Sequence, residues 1–357
     1  MLSHVMNDLN VLLLDEPDNH LDWDHKQWFC QLVKEFSGIV IVISHDRIFL
    51  EEAVDNIWHL EEQRIKAYGF GYSKFKEIYE DNMASRLHLW EVQEKERLRL
   101  ADLVKRLRIQ AASNDKFVGR YHSAEKRYDR WVRDMVEKPP EQKTVQMQTK
   151  VSDQHAKKTA IYIDNLEKYY EKHHVLRGVH LHAFCGEKIA IMAPNGSGKS
   201  TLLNIIVGKI SASSGTMQIG DGLKIGYYAQ DHLDALDERL TLIEELQKSQ
   251  GFFHYDGVAY LKRFLFTPAQ IGQPVSLLSG GQKSRLQLAK FLATNPDILV
   301  LDEPTNHLDL RTVLSLEQFL KTYEGTLILV SHDQKLVEAC ISRQYLLKNG
   351  VLEEQIT

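Results

Sequence analysis

The sequence predicts an α/β protein built on a mainly parallel sheet, with a helical insertion between two related segments. The first observation is a short apolar run at residues 188–192, which leads through a glycine-rich turn into an apolar helix. The second is a continuous apolar run at residues 298–301 that ends at two carboxylates. Such runs are typical of parallel strands buried on both faces. The length of 357 residues suits two domains with an insertion.

Composition excludes several classes of protein. A hydrophobic fraction of 43% and a charged fraction of 26% exclude a disordered or fibrous chain. The net charge of −5 is not that of a polycation, and no stretch of about 18 apolar residues predicts a membrane span. No basic-then-apolar segment predicts a secretion signal. Cys30, Cys185 and Cys340 are far apart and lack metal-ligand spacing, so we expect reduced thiols in a cytoplasmic protein.

An internal repeat organises the chain. Residues 15–22 read Asp-Glu-Pro-Asp-Asn-His-Leu-Asp and return as Asp-Glu-Pro-Thr-Asn-His-Leu-Asp, 287 residues later, at 302–309. Ser-His-Asp at residues 44–46 returns with the same offset at residues 331–333. Two matches without an insertion between them predict two copies of one αβ unit. Only 14 residues precede Asp15, so we expect the first copy to lack the front part that the second copy has.

The segment between the copies has a different composition. Residues 72–137 are rich in Lys, Arg, Glu, Leu and Gln and contain no Pro. Leu100, Leu103 and Leu107 recur at helical spacing. A turn-like break predicts two long antiparallel helices with a tip near residues 111–117.

This insertion is locally basic. Residues 95–133 contain 12 Lys or Arg and 5 Asp or Glu, although the whole chain is acidic. A local excess of positive charge in an acidic chain is better evidence for a binding partner than the mean charge of the chain. The predicted domains are a partial first unit at 1–71, a charged helical hairpin at 72–158 and a complete second unit at 159–357.

The glycine-rich turn is predicted to be a phosphate-binding loop. Gly196 and Gly198 let the backbone curl so that N–H groups point at phosphate oxygens, and the helix N-terminus adds its dipole. Lys199 would reach the β- and γ-phosphates, and the Ser200 hydroxyl would hold Mg²⁺. Ala193 stands where Gly is usual, which is acceptable if φ stays below zero there. We therefore predict a nucleoside triphosphate with Mg²⁺ as the ligand, and the resemblance described below implies that it is ATP, bound by Asn195, Gly196, Ser197, Gly198, Lys199, Ser200 and Thr201.

Further polar residues follow apolar runs of the predicted sheet. Asp302 would hold Mg²⁺ through water and Glu303 would polarise the attacking water, because two adjacent carboxylates divide into metal ligand and base. His332 follows another apolar run and could sense or orient the γ-phosphate. Residues 278–282 read Leu-Ser-Gly-Gly-Gln before an Arg- and Leu-rich helix. Their hydroxyl and glycine N–H groups form a second anion cradle.

Taken in this order, the motifs resemble those of an ATP-binding cassette (ABC) ATPase. The sequence of residues 302–309, its repeat at residues 15–22 and the segment 260–266 resemble the sequences of the class F branch, ABC-F. The resemblance implies a P-loop NTPase (ABC cassette) fold, with one complete cassette and one partial cassette joined by an α-helical hairpin linker. It also implies that Gln230 contacts Mg²⁺ and the nucleophilic water, and that Tyr170 stacks on adenine.

By the same resemblance, ATP is bound between two cassettes, the loop of one facing the Ser-Gly-Gly-Gln signature of the other. The first copy would retain Asp15, Glu16 and His45 of such a site, without a loop or signature, and its apolar strand faces would lose neighbours. Hydrolysis would be impaired unless a second cassette acts in trans. The chain could be a fragment of a tandem protein, a head-to-tail dimer or a weakly ATP-binding remnant. The signature residues acting in trans would be Ser279, Gly280, Gly281 and Gln282.

The resemblance further implies action on the ribosome at the tRNA exit site, with the linker tip directed toward P-site tRNA. Translation regulation and antibiotic ribosome protection both stay open. The hairpin could instead be a solvated coil or a docking helix for a protein. The alternatives for the whole chain are the ATPase subunit of an ABC transporter and a degenerate, non-hydrolysing interaction protein. We expect no membrane insertion and no DNA partner, and RNA contacts by Arg106, Arg108, Lys116 and Arg120.

Overall fold

The chain forms two compact units in the computed structural model. One unit comprises residues 1–53 and 143–357, and the other comprises residues 54–142. The residues that the structure describes are 9–18, 21–61, 63–136, 145–147, 158–171, 173–229, 236–250, 254–306 and 308–355.

Strands and helices alternate along most of the chain. In chain order the strands are β1 (Val11–Asp15), β2 (Ile39–Ile43), β3 (Ile57–Glu61), β4 (Arg64–Tyr68), β5 (Thr159–Tyr170), β6 (His173–Phe184), β7 (Lys188–Met192), β8 (Ser214–Ile219), β9 (Ile225–Tyr228), β10 (Ile298–Asp302), β11 (Thr326–Val330), β12 (Arg343–Lys348) and β13 (Val351–Gln355). The α-helices are α1 (Trp23–Glu35), α2 (Arg47–Ala53), α3 (Tyr72–Ser113), α4 (Val118–Asp134), α5 (Lys199–Ile206), α6 (Leu242–Gln250), α7 (His254–Arg263), α8 (Pro268–Ile271), α9 (Gly280–Leu292), α10 (Leu310–Thr322) and α11 (Gln334–Cys340).

A six-stranded sheet organises the second copy, with the strand order β13-β12-β7-β11-β10-β9. The strands from β12 to β9 run parallel, and β13 pairs antiparallel with β12. The carboxyl ends of β7, β10 and β11 therefore meet at one edge, where ligands bind in sheets of this kind. A separate antiparallel sheet has the order β6-β5-β8. The predicted α/β class with a mainly parallel sheet is confirmed.

Side chains of the central strands alternate between two buried clusters. Leu299 and Leu301 of β10 belong to one cluster, whereas Ile298 and Val300 belong to the other. All four are at most 1% exposed. Burial of a side chain of this size contributes roughly 1.5–3 kcal/mol. The sheet is thus a rigid base for the residues at its carboxyl edge.

The two copies of the repeat correspond element by element. Strand β1 pairs with β2 in the register of β10 with β11, because Asp15 faces Ile43 as Asp302 faces Val330. Helices α1 and α10 each begin after an Asp N-cap whose side chain accepts a backbone N–H three residues further on. The predicted repeat is therefore also a structural repeat.

Burial distinguishes the two copies. Strands β1 and β2 form a two-stranded sheet in which Leu13 is 71% exposed, Ile39 62% and Ile43 57%. Every residue of β10 and β11 is buried. The first copy packs its other face on a small cluster around Phe49. The strand faces that are buried in the second copy are thus partly exposed in the first.

The second unit is a helical hairpin with a short β-hairpin, β3-β4. Helix α3 has 42 residues, which gives a length of about 60 Å, and α4 has 17. The helices are antiparallel: the Trp131 indole N–H donates to the Gln93 carbonyl at 3.2 Å, and Arg97 donates to the Tyr128 hydroxyl at 3.3 Å. A turn at residues 114–117 joins them, within the predicted tip.

Candidate active site

The glycine-rich loop connects β7 to α5 with left-handed backbone at both glycines. Gly196 has a φ of 77° and Gly198 a φ of 100°, values that residues with a Cβ rarely adopt. Ala193, which departs from the usual glycine, does not have a positive φ, so its methyl group is accommodated. Helix α5 begins at Lys199, and its first N–H groups lack partners within the helix. The loop therefore has the conformation of an anion cradle.

Lys199 lies among three acceptors at the carboxyl edge of the sheet. Its Nζ is 3.5 Å from Glu303 Oε1, 3.3 Å from His332 Nε2 and 3.5 Å from Asn195 Oδ1. The Lys199 side chain is 11% exposed. The fold thus brings together a lysine, a carboxylate and a histidine that follow three different strands.

These side chains line a pocket of about 460 Å³, a volume typical of small-molecule sites. All the predicted loop residues line it except Ser197, and Glu303 and His332 also do. The Ser197 hydroxyl is buried and has no hydrogen-bond partner among the described residues. A buried hydroxyl without a partner is unfavourable. Because Ser197 does not line the pocket, the fit to a phosphate group rests on the left-handed Gly196 and Gly198 and on Lys199.

Burial sets the acid–base properties of the two catalytic candidates. Glu303 is 5% exposed, and burial raises its pKa to about 7, although Lys199 and the His332 backbone N–H, 3.1 Å from Oε2, act to lower it. Burial also lowers the pKa of His332 to about 4, and the charge of Lys199 lowers it further. Near neutral pH His332 is uncharged, and Glu303 exchanges a proton readily, as a general base must.

The backbone fixes the two adjacent carboxylates. Asp302 is the last residue of β10 and is 3% exposed. Glu303 follows in a left-handed conformation, with a φ of 49°, and its N–H donates to the Val330 carbonyl at 2.8 Å. Such a conformation is costly for a residue with a side chain and is common at functional sites. Asp302 is not among the described residues that line the pocket.

The first copy also contributes to this pocket, which the sequence analysis missed. Leu21 and Lys26 line it, and Asp22 Oδ2 accepts a hydrogen bond from the Asn195 backbone N–H at 3.4 Å. The repeat contained one indication that Lys26 has a special role. The second copy has an apolar residue, Val313, at the equivalent position, so the repeated fold does not require a lysine there.

A buried ion pair holds the first copy against the second. Arg47, which is 8% exposed, donates to Glu317 at 3.0 Å and lies 3.6 Å from the Asp333 carboxylate. Arg47 begins α2, whereas Glu317 lies on α10. This contact joins residues 270 positions apart, which local patterns do not predict.

The first copy has an arrangement similar to that of Glu303 and His332, with a longer distance between carboxylate and histidine. Glu16 has a φ of 44°, and its carboxylate lies 3.5 Å from His45 Nε2. Asp15 ends β1 and is exposed. The three predicted remnant residues are therefore close together, but they are not among the described residues that line the pocket.

The signature residues lie elsewhere. Ser279 is the N-cap of α9 and forms a capping box with Gln282, in which the Gln282 N–H donates to Ser279 Oγ at 3.4 Å. No residue of this motif is among the described residues that line the pocket. Tyr170 is 45% exposed at the end of β5 and is also outside that lining. Gln230 lies outside the described residues, so its role stays a prediction.

The predicted RNA-contacting cations are exposed around the hairpin tip. Arg106 and Arg108 lie in the last two turns of α3, and Arg106 pairs with Asp102. Lys116 lies in the turn itself. The Arg120 guanidinium is 5.7 Å from the centroid of the Phe117 ring. The structure therefore places all four within one surface region of the hairpin.

Two further properties concern the whole of the chain that the structure describes. Within the described ranges, no group of three or more His, Cys, Asp or Glu side chains could hold a metal ion. No helix of the described chain has the length and apolar character needed to cross a membrane.

Comparison with known proteins agrees with the fold. A family described as ABC transporter matches residues 176–306, and a second family of the same description matches residues 58–149. The chain is 33% identical to the ribosome protection protein VmlR of Bacillus subtilis, over 98% of this chain and 67% of that protein. It is 32% identical to ABC transporter F family member 5 of Arabidopsis thaliana, over 98% and 50% of the two chains.

It is also 30% identical to mouse ATP-binding cassette sub-family F member 3, over 96% of this chain and 48% of that protein. A solved dimeric bacterial ABC transporter cassette is 29% identical, with a TM-score of 0.48, and the match covers 55% of this chain and 97% of that one. The chain thus spans 48–67% of the length of these curated relatives.

The sheet, the loop and the family match define a P-loop NTPase fold of the ABC cassette type, with a helical linker. Relatives that are 30–33% identical match 96–98% of this chain, and two of them are named as F-family members of the ABC proteins. The chain belongs to the ABC-F family.

Proposed function

We propose that this ABC-F chain binds ATP with Mg²⁺ at the loop of the second copy and hydrolyses it. The observation that carries the proposal is the position of Lys199 Nζ, within 3.5 Å of both Glu303 and His332 in one pocket. A loop lysine, a buried carboxylate and a histidine at one sheet edge are groups that phosphoryl transfer to water uses.

The residues around the pocket fit a nucleotide triphosphate and its metal. The left-handed backbone at Gly196 and Gly198 and the charge of Lys199 suit phosphate oxygens. Ser200 and Asp302 would hold Mg²⁺, which supplies charge neutralisation when bound. Tyr170 as adenine platform and Gln230 as a further ligand remain parts of the proposal.

Glu303 would act as the base in hydrolysis. A pKa of about 7 lets its carboxylate take a proton from water near neutral pH. The His332 backbone N–H orients one carboxylate oxygen, and the uncharged His332 ring lies 3.2 Å from the other. The Lys199 ammonium group contacts both Glu303 and His332. The same ammonium group would therefore bind the phosphates and influence proton transfer at Glu303.

Closure of this pocket would require a Ser-Gly-Gly-Gln motif from another cassette. Residues 279–282 of the chain do not line its own pocket, which supports their action in trans. We therefore propose that a second cassette closes the pocket, supplied by a head-to-tail partner copy or by further residues of a tandem protein.

Phosphate release by the full chain tests the proposed hydrolysis. Glu303→Gln should lower the rate at least about 100-fold, a typical contribution of a general base, while MgATP still binds. Glu338→Gln is the matched control, because Glu338 is exposed on α11. Equal rates for the wild type and Glu303→Gln would contradict the assigned base.

We further propose that the chain acts on the ribosome in the cytoplasm, with the basic hairpin tip on RNA. Two findings support this: the similarity to a protein named for ribosome protection, and four exposed cations around the tip. Translation regulation and antibiotic protection are the two roles this proposal allows.

Co-sedimentation with ribosomes at increasing salt tests the tip. Alanine at the four tip cations should weaken binding and reduce its salt dependence, since fewer phosphate contacts release fewer counterions. A control with the same charge loss replaces Lys95, Arg99, Lys126 and Arg130, which are exposed toward the base of the hairpin. Equal effects of both sets would contradict a specific role for the tip.

A further inference from the structure

A second lysine lines the nucleotide pocket, and it comes from the first copy. Lys26 lies on α1, four residues after the N-cap Asp22, and its side chain is 16% exposed. The second copy has Val313 at the equivalent position, where it is 4% exposed within the apolar core. The helix of this repeat does not require a cation at that position. Lys26 is therefore a feature of the first copy alone.

The Lys26 ammonium group is held in a fixed position. Its Nζ donates to Asp46 Oδ2 at 2.6 Å. The other oxygen of Asp46 accepts the backbone N–H groups of Ile48 and Phe49 at the start of α2, at 2.9 and 3.1 Å. These two hydrogen bonds fix the Asp46 carboxylate, and the carboxylate in turn fixes the Lys26 ammonium group. An ammonium group has three donors, so Lys26 can keep this bond and still bind an anion.

The charge of Lys26 acts at the catalytic end of the pocket. Burial is the main cause of the low pKa of His332, and the charges of Lys199 and Lys26 lower it further. For Glu303, burial raises the pKa while Lys199 and, more weakly, Lys26 act to lower it. The geometry agrees, because Lys26 lines the same pocket as Glu303 and His332, the two residues proposed to act at the γ-phosphate.

Contacts between the copies keep Lys26 at the pocket. Asp22, one turn before Lys26, accepts the Asn195 backbone N–H of the loop. The buried pair between Arg47 and Glu317 holds α2, and with it Asp46, against α10. The first copy is thus placed to deliver one cation to a loop that belongs to the second copy.

Two lysines in one pocket favour the ligand with more negative charge. Lys26 is paired with Asp46 and Lys199 lies beside Glu303, so both cations are partly neutralised by the chain itself. A polyphosphate in the pocket would gain further attraction from both, and more of it the more negative charge the ligand carries. We propose that Lys26 is a second phosphate-binding cation, contributed by the first copy, and that it makes the pocket prefer a nucleoside triphosphate over a diphosphate. This inference rests on the proposed function, because it concerns the same nucleotide site.

Fluorescence titration of the full chain with MgATP and with MgADP tests the proposal. Lys26→Met should weaken ATP binding about tenfold, which is about 1.4 kcal/mol, and change ADP binding less than about twofold. Lys26→Arg should bind ATP as the wild type does, because it keeps the charge. Lys34→Met is the control, since Lys34 is exposed in the last turn of the same helix. Lys26→Gln, which keeps a hydrogen-bond donor for Asp46, replaces Lys26→Met if the latter unfolds.

Equal ATP affinities of Lys26→Met and Lys34→Met would overturn the inference. So would equal losses for ATP and ADP, since these would indicate a structural role only. A wild-type chain that binds neither nucleotide would overturn the proposed function itself, and the inference with it.

Discussion

Glu16 and Glu303 have the same left-handed backbone conformation, with φ of 44° and 49°, at equivalent positions of the repeat. Each donates its N–H to a carbonyl of the neighbouring strand at 2.8 Å. Each carboxylate also lies close to a histidine, at 3.5 Å in the first copy and 3.2 Å in the second. The repeated sequence thus encodes the same local structure twice. Only Glu303 is also buried beside a phosphate-binding loop.

Equivalent positions of the repeat should differ in their contribution to stability. Leu13 is 71% exposed and Val300 is fully buried, although they occupy the third positions of the equivalent strands β1 and β10. We expect Leu13→Ala to cost less than about 0.5 kcal/mol and Val300→Ala about 2 kcal/mol, because only the second leaves a cavity. Urea unfolding of both variants measures this. Similar costs would mean that the β1–β2 face is covered in solution.

Local patterns predicted the repeat, the loop and the hairpin. Apolar runs such as residues 298–301 define buried strands by themselves, and Gly196 and Gly198 define the loop through their backbone freedom. The contacts of Lys26 and Arg47 could not be predicted in this way. They depend on how two distant segments pack, and no spacing in the sequence records that. The pKa values of Glu303 and His332 likewise follow from burial, which exists only in the folded chain.

Gly198 should be required for the loop conformation. Its φ of 100° is unfavourable for alanine, and an added Cβ would lie 3.0 Å from the Val175 side chain. We expect Gly198→Ala to destabilise the chain by about 1–2 kcal/mol and to weaken nucleotide binding. Gly119→Ala is the control, because Gly119 lies in α4 with open space around it, and it should gain up to about 1 kcal/mol. A Gly198→Ala chain with wild-type stability and affinity would contradict the assigned loop geometry.

Arg47 should stabilise the contact between the copies. Arg47→Met removes one of the two cations that bind Glu317 and leaves Lys321 as the other, so we expect a loss of about 1–2 kcal/mol in urea unfolding at pH 7. Lys321→Met should cost far less, since Lys321 contacts the same carboxylate from an exposed position.

The effect of Arg47 should also depend on pH. Burial acts to raise the pKa of Glu317, but hydrogen bonds from Lys321 and Arg47 outweigh it and lower that pKa below its unfolded value of 4.5. A lowered pKa gives stability that is complete above pH 4.5 and is lost as the pH falls. The difference between wild type and Arg47→Met should therefore shrink below pH 4.5. A difference that grows toward acid pH would exclude Glu317 as the partner.

A second cassette in trans predicts ATP-dependent association. Glu303→Gln should slow hydrolysis and so prolong any closed dimer, which light scattering with MgATP would detect as a doubled mass. Adding Ser279→Arg should abolish the dimer, because the larger side chain would block contact between the signature and the partner's loop. Ser279 does not line the chain's own pocket, so that pocket stays unchanged. Monomers under all conditions would exclude the head-to-tail dimer and leave the fragment of a tandem protein and the weakly ATP-binding remnant.

Calorimetric titration of the full chain with MgATP tests the central claim most directly. The account predicts saturable binding of one nucleotide per chain in the wild type. It also predicts a loss of at least about tenfold in affinity for Lys199→Ala, because the lysine charge at the phosphates is removed. Wild-type heats indistinguishable from dilution, or equal affinities of the wild type and Lys199→Ala, would contradict nucleotide binding at this loop.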